Sequence, residues 1–284
     1  MHEAGELLRA ARAAAVSLSY IGKSSAHAVE RRIRAHRTAA GPLTFVVGSP
    51  RSGTTFTAGA LAEAADMVDL GEVAALKRRI PDLLELPERE QARKLARILE
   101  VVRLLSLSRG RRAVEQTPET SFLLGSALAA YPDAHAVHAL RDGRDVVCSL
   151  IERGWLAPDR DGADDAGRAY GSHPRFWVEE ERREEFAHAS EATRAAWAWR
   201  RYVEAVRSVG ERTVEVRYEQ MAVDPEDAAE RVAAELGIDA GRLADAFAKA
   251  HSRSVGRWRR ELDAQQLRDV EQEAGPLLAE LGYL

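Results

Sequence analysis

Residues Leu43–Thr55, Leu-Thr-Phe-Val-Val-Gly-Ser-Pro-Arg-Ser-Gly-Thr-Thr, pass from a mostly apolar run through a glycine-bearing turn into a helix-forming stretch. Leu43–Val47 reads as a buried parallel strand, and Thr54 onward (Thr-Thr-Phe-Thr-Ala-Gly-Ala-Leu-Ala-Glu-Ala) reads as a helix. A turn between such a strand and helix directs backbone N–H groups at a common point, where they suit an anion. Arg51 adds a cation from inside the turn. The segment predicts an α/β protein whose parallel sheet carries an anion site.

Gly48 and Gly53 stand where a P-loop places its two glycines, and Thr54 and Thr55 fill its Lys-Ser/Thr positions. The lysine that reaches a β/γ-phosphate pair is missing, so the loop suits a single phosphate better than a nucleoside triphosphate. Pro50–Thr55, Pro-Arg-Ser-Gly-Thr-Thr, resembles the 5′-phosphosulfate loop of sulfotransferases that use 3′-phosphoadenosine 5′-phosphosulfate (PAPS). A second stretch, Ala136–Arg153, reads as strand, turn and helix, with Arg141 at the strand's end and Ser149 eight positions later. It resembles the family's 3′-phosphate signature, and a guanidinium and a hydroxyl both donate to a phosphate monoester. The resemblance runs from about Leu43 to Leu284 and is loose outside these two motifs. It implies PAPS as co-substrate, 3′-phosphoadenosine 5′-phosphate (PAP) as product, and no metal. It assigns Arg51, Ser52, Gly53, Thr54 and Thr55 to the 5′ side, Arg51 also acting in catalysis, and Arg141 and Ser149 to the 3′-phosphate.

Two further segments extend the resemblance. Within Arg112–Tyr131, Glu115-Gln-Thr-Pro matches the Glu-Lys-Thr/Ser-Pro of the carbohydrate branch. That match makes Glu115 the expected general base, on a sugar or alkyl alcohol, while Gln116 stands where the branch has a lysine that helps neutralise the sulfuryl group. Ser252–Arg260 resembles the late Gly-x-Trp loop over the 3′-phosphate, which adds Arg253, Gly256 and Arg257 as expected contacts. Tyr218 and Glu219 read as fixing a strand-to-helix corner, and His135 and His138 as core residues within a strand.

The expected fold is thus a P-loop-type parallel β-sheet flanked by helices, with a helical N-terminal arm and a helical C-terminal region. The chain has 284 residues, 45% of them apolar, which suits one domain: an arm over residues 1–38 and a PAPS-binding core over 43–284. Helices are expected at Pro225–Leu236, Ala240–His251 and Ala264–Gly282. The 41 Lys+Arg against 45 Asp+Glu leave a net charge of −4, which argues against a nucleic-acid partner. Cys148, the only cysteine, excludes an internal disulfide and fits a reducing, cytoplasmic setting. The basic arm suits packing on the core, on a partner subunit of a homo-oligomer, or peripherally on a membrane surface. The irregular stretch Ala157–Phe176 reads as a lid over the acceptor, which would be a small molecule, a sugar or a lipid hydroxyl. A P-loop kinase and a catalytically silent PAP-binding protein remain the rival readings.

Overall fold

The computed structural model of the chain describes residues 41–105, 111–160 and 175–284. The expected arm (residues 1–38) lies outside them, and so do residues 161–174 of the expected lid. Five parallel strands form the sheet: β1 Leu43–Val47, β2 Val68–Asp69, β3 Ala113–Glu115, β4 His135–Leu140 and β5 Thr213–Arg217. Their order is β2-β3-β1-β4-β5, so the chain reverses direction across the sheet at β1. In such sheets the crevice beyond the carboxyl ends of the strands at the reversal is where ligands bind.

Thirteen helices surround the sheet among the described residues. They are α1 Thr54–Ala64, α2 Ala74–Lys77, α3 Ile80–Leu84, α4 Glu88–Leu105, α5 Leu124–Ala130, α6 Gly143–Arg153, α7 Arg183–His188, α8 Glu191–Arg207, α9 Tyr218–Val223, α10 Pro225–Leu236, α11 Ala240–Phe247, α12 Trp258–Glu261 and α13 Ala264–Glu280. β1 is buried along its whole length because both faces are covered. Leu43, Phe45 and Val47 meet residues of α2 to α5, whereas Val46 meets Leu61 of α1, Val232 of α10 and Phe247 of α11. A third apolar cluster joins α6, α8 and α13 through Val147, Leu150, Trp197, Trp199, Tyr202, Val270 and Leu278. None of the described helices is long and apolar enough to cross a membrane.

The helices at Pro225–Leu236 and Ala264–Glu280 fall within two residues of the expected bounds. Asp224 caps the first by accepting from Asp227 N–H, and Asp263 opens the second in a capping box with Gln266. The helix expected to reach His251 stops at Phe247. His251 N–H instead donates to the Tyr218 hydroxyl at 3.1 Å, which turns the chain toward the sheet.

His138 sits in the middle of β4, paired to β1 and β5, with almost no exposed surface. Its Nδ1 lies 3.6 Å from Glu215 Oε2, and its Nε2 has no hydrogen-bond partner. Burial, helped by Arg207, drives its pKa from 6.5 down to about 3. The unfolded chain therefore takes up a proton that the folded chain refuses, so this group removes stability as pH falls from 6.5 toward 3. Denaturant midpoints should accordingly fall less between about pH 7 and about pH 4 for His138→Gln than for the parent. Parallel declines in the two proteins would show that another group governs acid unfolding.

Candidate active site at the carboxyl ends of the strands

The loop from β1 to α1 closes as a turn in which Ser52 N–H donates to Ser49 C=O at 3.1 Å. The Ser52 hydroxyl donates to the carbonyls of Ser49 and Ala139, at 2.6 and 2.8 Å, and so ties the loop to the end of β4. Gly48 passes so close to β4 that a Cβ there would lie 2.4 Å from Ala139 O, at a φ of 138°. Gly53 has φ 97°, and a Cβ on it would lie 2.7 Å from the Tyr218 ring. Between these glycines Arg51 adopts φ 71°, a left-handed conformation that costs a residue with a side chain on the order of 1–3 kcal/mol. α1 has no side-chain cap and no acid in its first turn. By contrast Asp142, Ser190 and Asp239 cap α6, α8 and α11. The first N–H groups of α1, together with its positive dipole end, therefore remain available to an anion.

Arg141 follows the last residue of β4, next to this loop. Its guanidinium donates to Arg51 C=O at 3.5 Å and to Ser254 C=O, while its Nε is buried without a hydrogen-bond partner. Trp199 braces the turn from behind: its indole N–H donates to Arg141 C=O at 3.1 Å, and its ring fills the place a Cβ on Gly143 would take. Arg51 Nε donates to Ser149 Oγ at 2.9 Å, so groups expected on the 5′ and 3′ sides of a nucleotide touch directly. Burial and the cations Arg153, Arg141 and Arg257 press the Arg51 pKa below its ordinary value, with Glu152 opposing them. Burial is the larger cause, and the neighbouring cations add to it.

The late loop is fastened by the aspartate four positions after Arg141. Asp145, fully buried, accepts from Gly256 N–H at 2.7 Å and from Trp258 N–H at 3.1 Å. Burial raises its pKa. This clamp holds Ser252–Arg257 against α6 and forms one wall of a cavity of about 440 Å³ lined by His251, Arg253, Ser254, Arg257 and Glu261. Arg253 is exposed there. Arg257 is engaged by Glu152 at 3.0 Å and by Glu261, whose hydrogen bonds raise its pKa. Tyr218 does more than hold its corner, since its ring also lies 4.9 Å from the Arg141 guanidinium. Glu219 accepts from Asp142 N–H at 2.8 Å, as expected of a corner residue.

A second cavity, about 60 Å³, opens beside the loop and is lined by Pro50, Arg51, Thr54, Thr55, Glu72, Lys77, Pro118 and Trp155. Glu115 has no exposed surface. Its Oε1 accepts from Thr117 N–H at 2.8 Å and its Oε2 from the Thr120 hydroxyl at 3.2 Å. Burial pushes its pKa up to about 8. The carboxylate that faces this cavity is Glu72, three residues after β2. Its position follows the rule that ligands gather beyond the carboxyl ends of parallel strands. β2 is only two residues long, however, too short for an apolar pattern to reveal it. Gln116 adjoins the cavity through Thr55, whose hydroxyl donates to its Oε1 at 3.3 Å.

Two glycines give opposite tests of this geometry. Gly48→Ala should lower stability by about 2 kcal/mol or more, because the methyl would meet a backbone carbonyl at a positive φ. Gly59→Ala, in α1 with nothing within 4 Å, should raise it by about 0.5–1 kcal/mol. Equal effects in chemical denaturation would contradict the close approach of Gly48 to Ala139.

Comparison with known proteins agrees with this architecture. A search of curated proteins finds no match. Among solved structures, a sulfotransferase from Mycobacterium avium superposes with a TM-score of 0.50 at 15% identity, covering 89% of this chain and 81% of that one. The sulfotransferase domain of the Synechococcus olefin synthase gives 0.49 at 18% identity, over 84% of this chain and 94% of that one. A sulfotransferase from Alicyclobacillus acidocaldarius gives 0.46 at 21%, over 84% and 96%. At these identities the first of the three likenesses speaks for the fold alone. The profile of the sulfotransferase family matches residues 96–242, just over half of the 284-residue chain. That match includes Arg141 and Ser149 and begins after Pro50–Thr55. The chain, with its parallel sheet and P-loop-type turn, belongs to the sulfotransferase family.

Proposed function

We propose that the protein transfers the sulfuryl group of PAPS to a hydroxyl of a sugar, a lipid or another small alcohol. The observation that carries this reading is the convergence of Arg51, Arg141 and the uncapped N-terminus of α1, with the Arg141 Nε left without an acceptor. The buried Arg141 Nε has no protein acceptor and the first N–H groups of α1 have no side-chain cap, so donors remain for a ligand with two separate phosphates. PAPS supplies the activated sulfur–oxygen–phosphorus linkage. Thr54 and Thr55, through their backbone N–H groups, and Arg51 would hold the 5′-phosphate. Arg141 and Ser149 would hold the 3′-phosphate, with Arg253, Gly256 and Arg257 along the neighbouring wall. Arg257 would have to exchange a carboxylate for a phosphate oxygen.

The transfer forms a bond from the acceptor oxygen to sulfur and breaks the bond from sulfur to the 5′-phosphate oxygen. The electron pair stays on that phosphate, where Arg51 meets the new charge. The acceptor's proton goes to a carboxylate. Glu115 fills the motif position for this role, but it is enclosed, both its oxygens are engaged, and a pKa of about 8 keeps it protonated at neutral pH. Glu72 lies on the cavity wall with more than a third of its side chain exposed. The geometry therefore favours Glu72 as base and gives Glu115 the work of holding the Thr117–Thr120 turn.

Calorimetry should show PAP binding far more tightly than AMP. Arg141→Ala should weaken PAP by roughly ten- to a hundredfold and leave AMP nearly unchanged. Equal affinities for PAP and AMP in the parent would sink the cofactor assignment. Screened over a panel of sugar, lipid and simple alcohol acceptors, Glu72→Gln should lower PAP release by about a hundredfold or more, and Glu115→Gln far less. If Glu115 is the base instead, kcat/KM in the parent rises through an inflection near pH 8, since only its deprotonated form accepts a proton. Loss of that inflection in Glu115→Gln would return the role to Glu115.

A further inference from the structure

The cavity wall carries a cation that neither signature motif contains. Lys77, the last residue of α2, is nearly buried, yet it lines the cavity together with Arg51, Thr54, Thr55 and Glu72. Its Nζ lies 2.9 Å from Oε1 of the fully buried Glu119 and 3.4 Å from Glu72 Oε2. The chain holds 4 lysines against 37 arginines, so a lysine at this enclosed position departs from its general usage. A compact ammonium with three donors suits a small tetrahedral or planar oxyanion, whereas a guanidinium fork suits a flat bidentate partner. Gln116, which the carbohydrate-branch pattern fills with a lysine, abuts the same cavity through its contact with Thr55.

We infer that Lys77 supplies, from the segment after β2, the positive charge that Gln116 does not, and binds the sulfuryl oxygens during transfer. This rests on the proposed sulfuryl transfer. Glu119 and Glu72 together hold Lys77 at the cavity edge. When Glu72 takes the acceptor proton it becomes neutral, and its pull on Lys77 ends as negative charge spreads over the sulfuryl group. Lys77 neither gains nor loses a proton; it passes from a carboxylate to the sulfuryl oxygens. Proton acceptance and charge neutralisation are thereby coupled through the pair 3.4 Å apart. The cavity, about 60 Å³, is several times what one water molecule requires and so has room for a group of this size.

The test uses the full-length protein and compares PAP with PAPS, which differ only in the sulfuryl group. Lys77→Met should weaken PAPS by about tenfold in calorimetric titration and leave PAP unchanged. Single-turnover hydrolysis of PAPS, with water as acceptor, should fall by about a hundredfold in the same protein. Adding Gln116→Lys to Lys77→Met should restore at least about tenfold of that loss, which a merely structural role for Lys77 would not allow. Because Lys77→Met leaves Glu119 buried without this cation, Lys77→Met with Glu119→Gln serves as the well-folded form, checked by its melting transition. Unchanged PAPS affinity and hydrolysis in that double variant would overturn the inference while PAP binding by the parent upheld the function. Equal losses for PAP and PAPS would also overturn it. A parent that binds neither nucleotide would overturn it together with the function it rests on.

Discussion

The hydroxyl of Ser52, donating to both Ser49 C=O and Ala139 C=O, is the contact on which the site depends. It draws the loop after β1 against the end of β4, and Arg141 lies two residues beyond Ala139. Once that distance is set, Gly48 has no room for a side chain and Arg51 is forced into a left-handed conformation. The Arg141 guanidinium then reaches Arg51 C=O, 90 residues away in sequence, in the loop before the uncapped start of α1. Ser52, expected to touch the nucleotide, here uses its hydroxyl on the carbonyls of Ser49 and Ala139.

The arginines differ in how closely carboxylates match them. Arg144, Arg182 and Arg200 are matched by carboxylates at 3.0 Å or less, which saturates their charge. Arg51 and Arg141 lie over aromatic faces, Trp155 at 5.5 Å and Tyr218 at 4.9 Å, as Arg144 does over Trp258 at 4.0 Å and Arg182 over Trp197 at 3.8 Å, but Asp145 stands 3.7 Å from Arg141. A ring fixes the plane of a guanidinium without consuming its N–H donors. The rings thus help orient the two guanidiniums, and the buried Arg141 Nε is left without a protein acceptor. The same logic makes Trp199 and Asp145 supporting residues, since one braces Arg141 and the other anchors the loop bearing Gly256.

Carboxylates are divided in a comparable way. Glu115, at the end of β3, and Glu119, in the segment that follows, are fully buried, the first held by Thr117 and Thr120 and the second paired with Lys77. Glu72 is the one drawn to the cavity edge. A chemical role for a carboxylate requires access to the reacting hydroxyl as well as basicity, and motif position alone does not convey access. That is why the segment most suggestive in sequence does not supply the group that faces the cavity.

The α/β class, the strand at Leu43–Val47, and the turn and helix that follow were legible from residue order, because local periodicity and turn chemistry act over a few positions. The helix starts at Pro225 and Ala264 were legible for the same reason, and the structure places Asp224 and Asp263 as their caps. The family's likeness was carried by short segments whose geometry is local. Glu72 and Lys77 were not legible, for β2 has two residues and α2 four, too few to leave a pattern. The contact of Arg51 with Ser149, separated by 98 positions, was equally out of reach. Only the parallel order β2-β3-β1-β4-β5 brings the ends of β1, β2, β3 and β4 to one crevice. Sequence alone determined which backbone segments fold and what anion they suit; tertiary packing decided which side chains reach the cavity, because burial depends on neighbours distant in the chain.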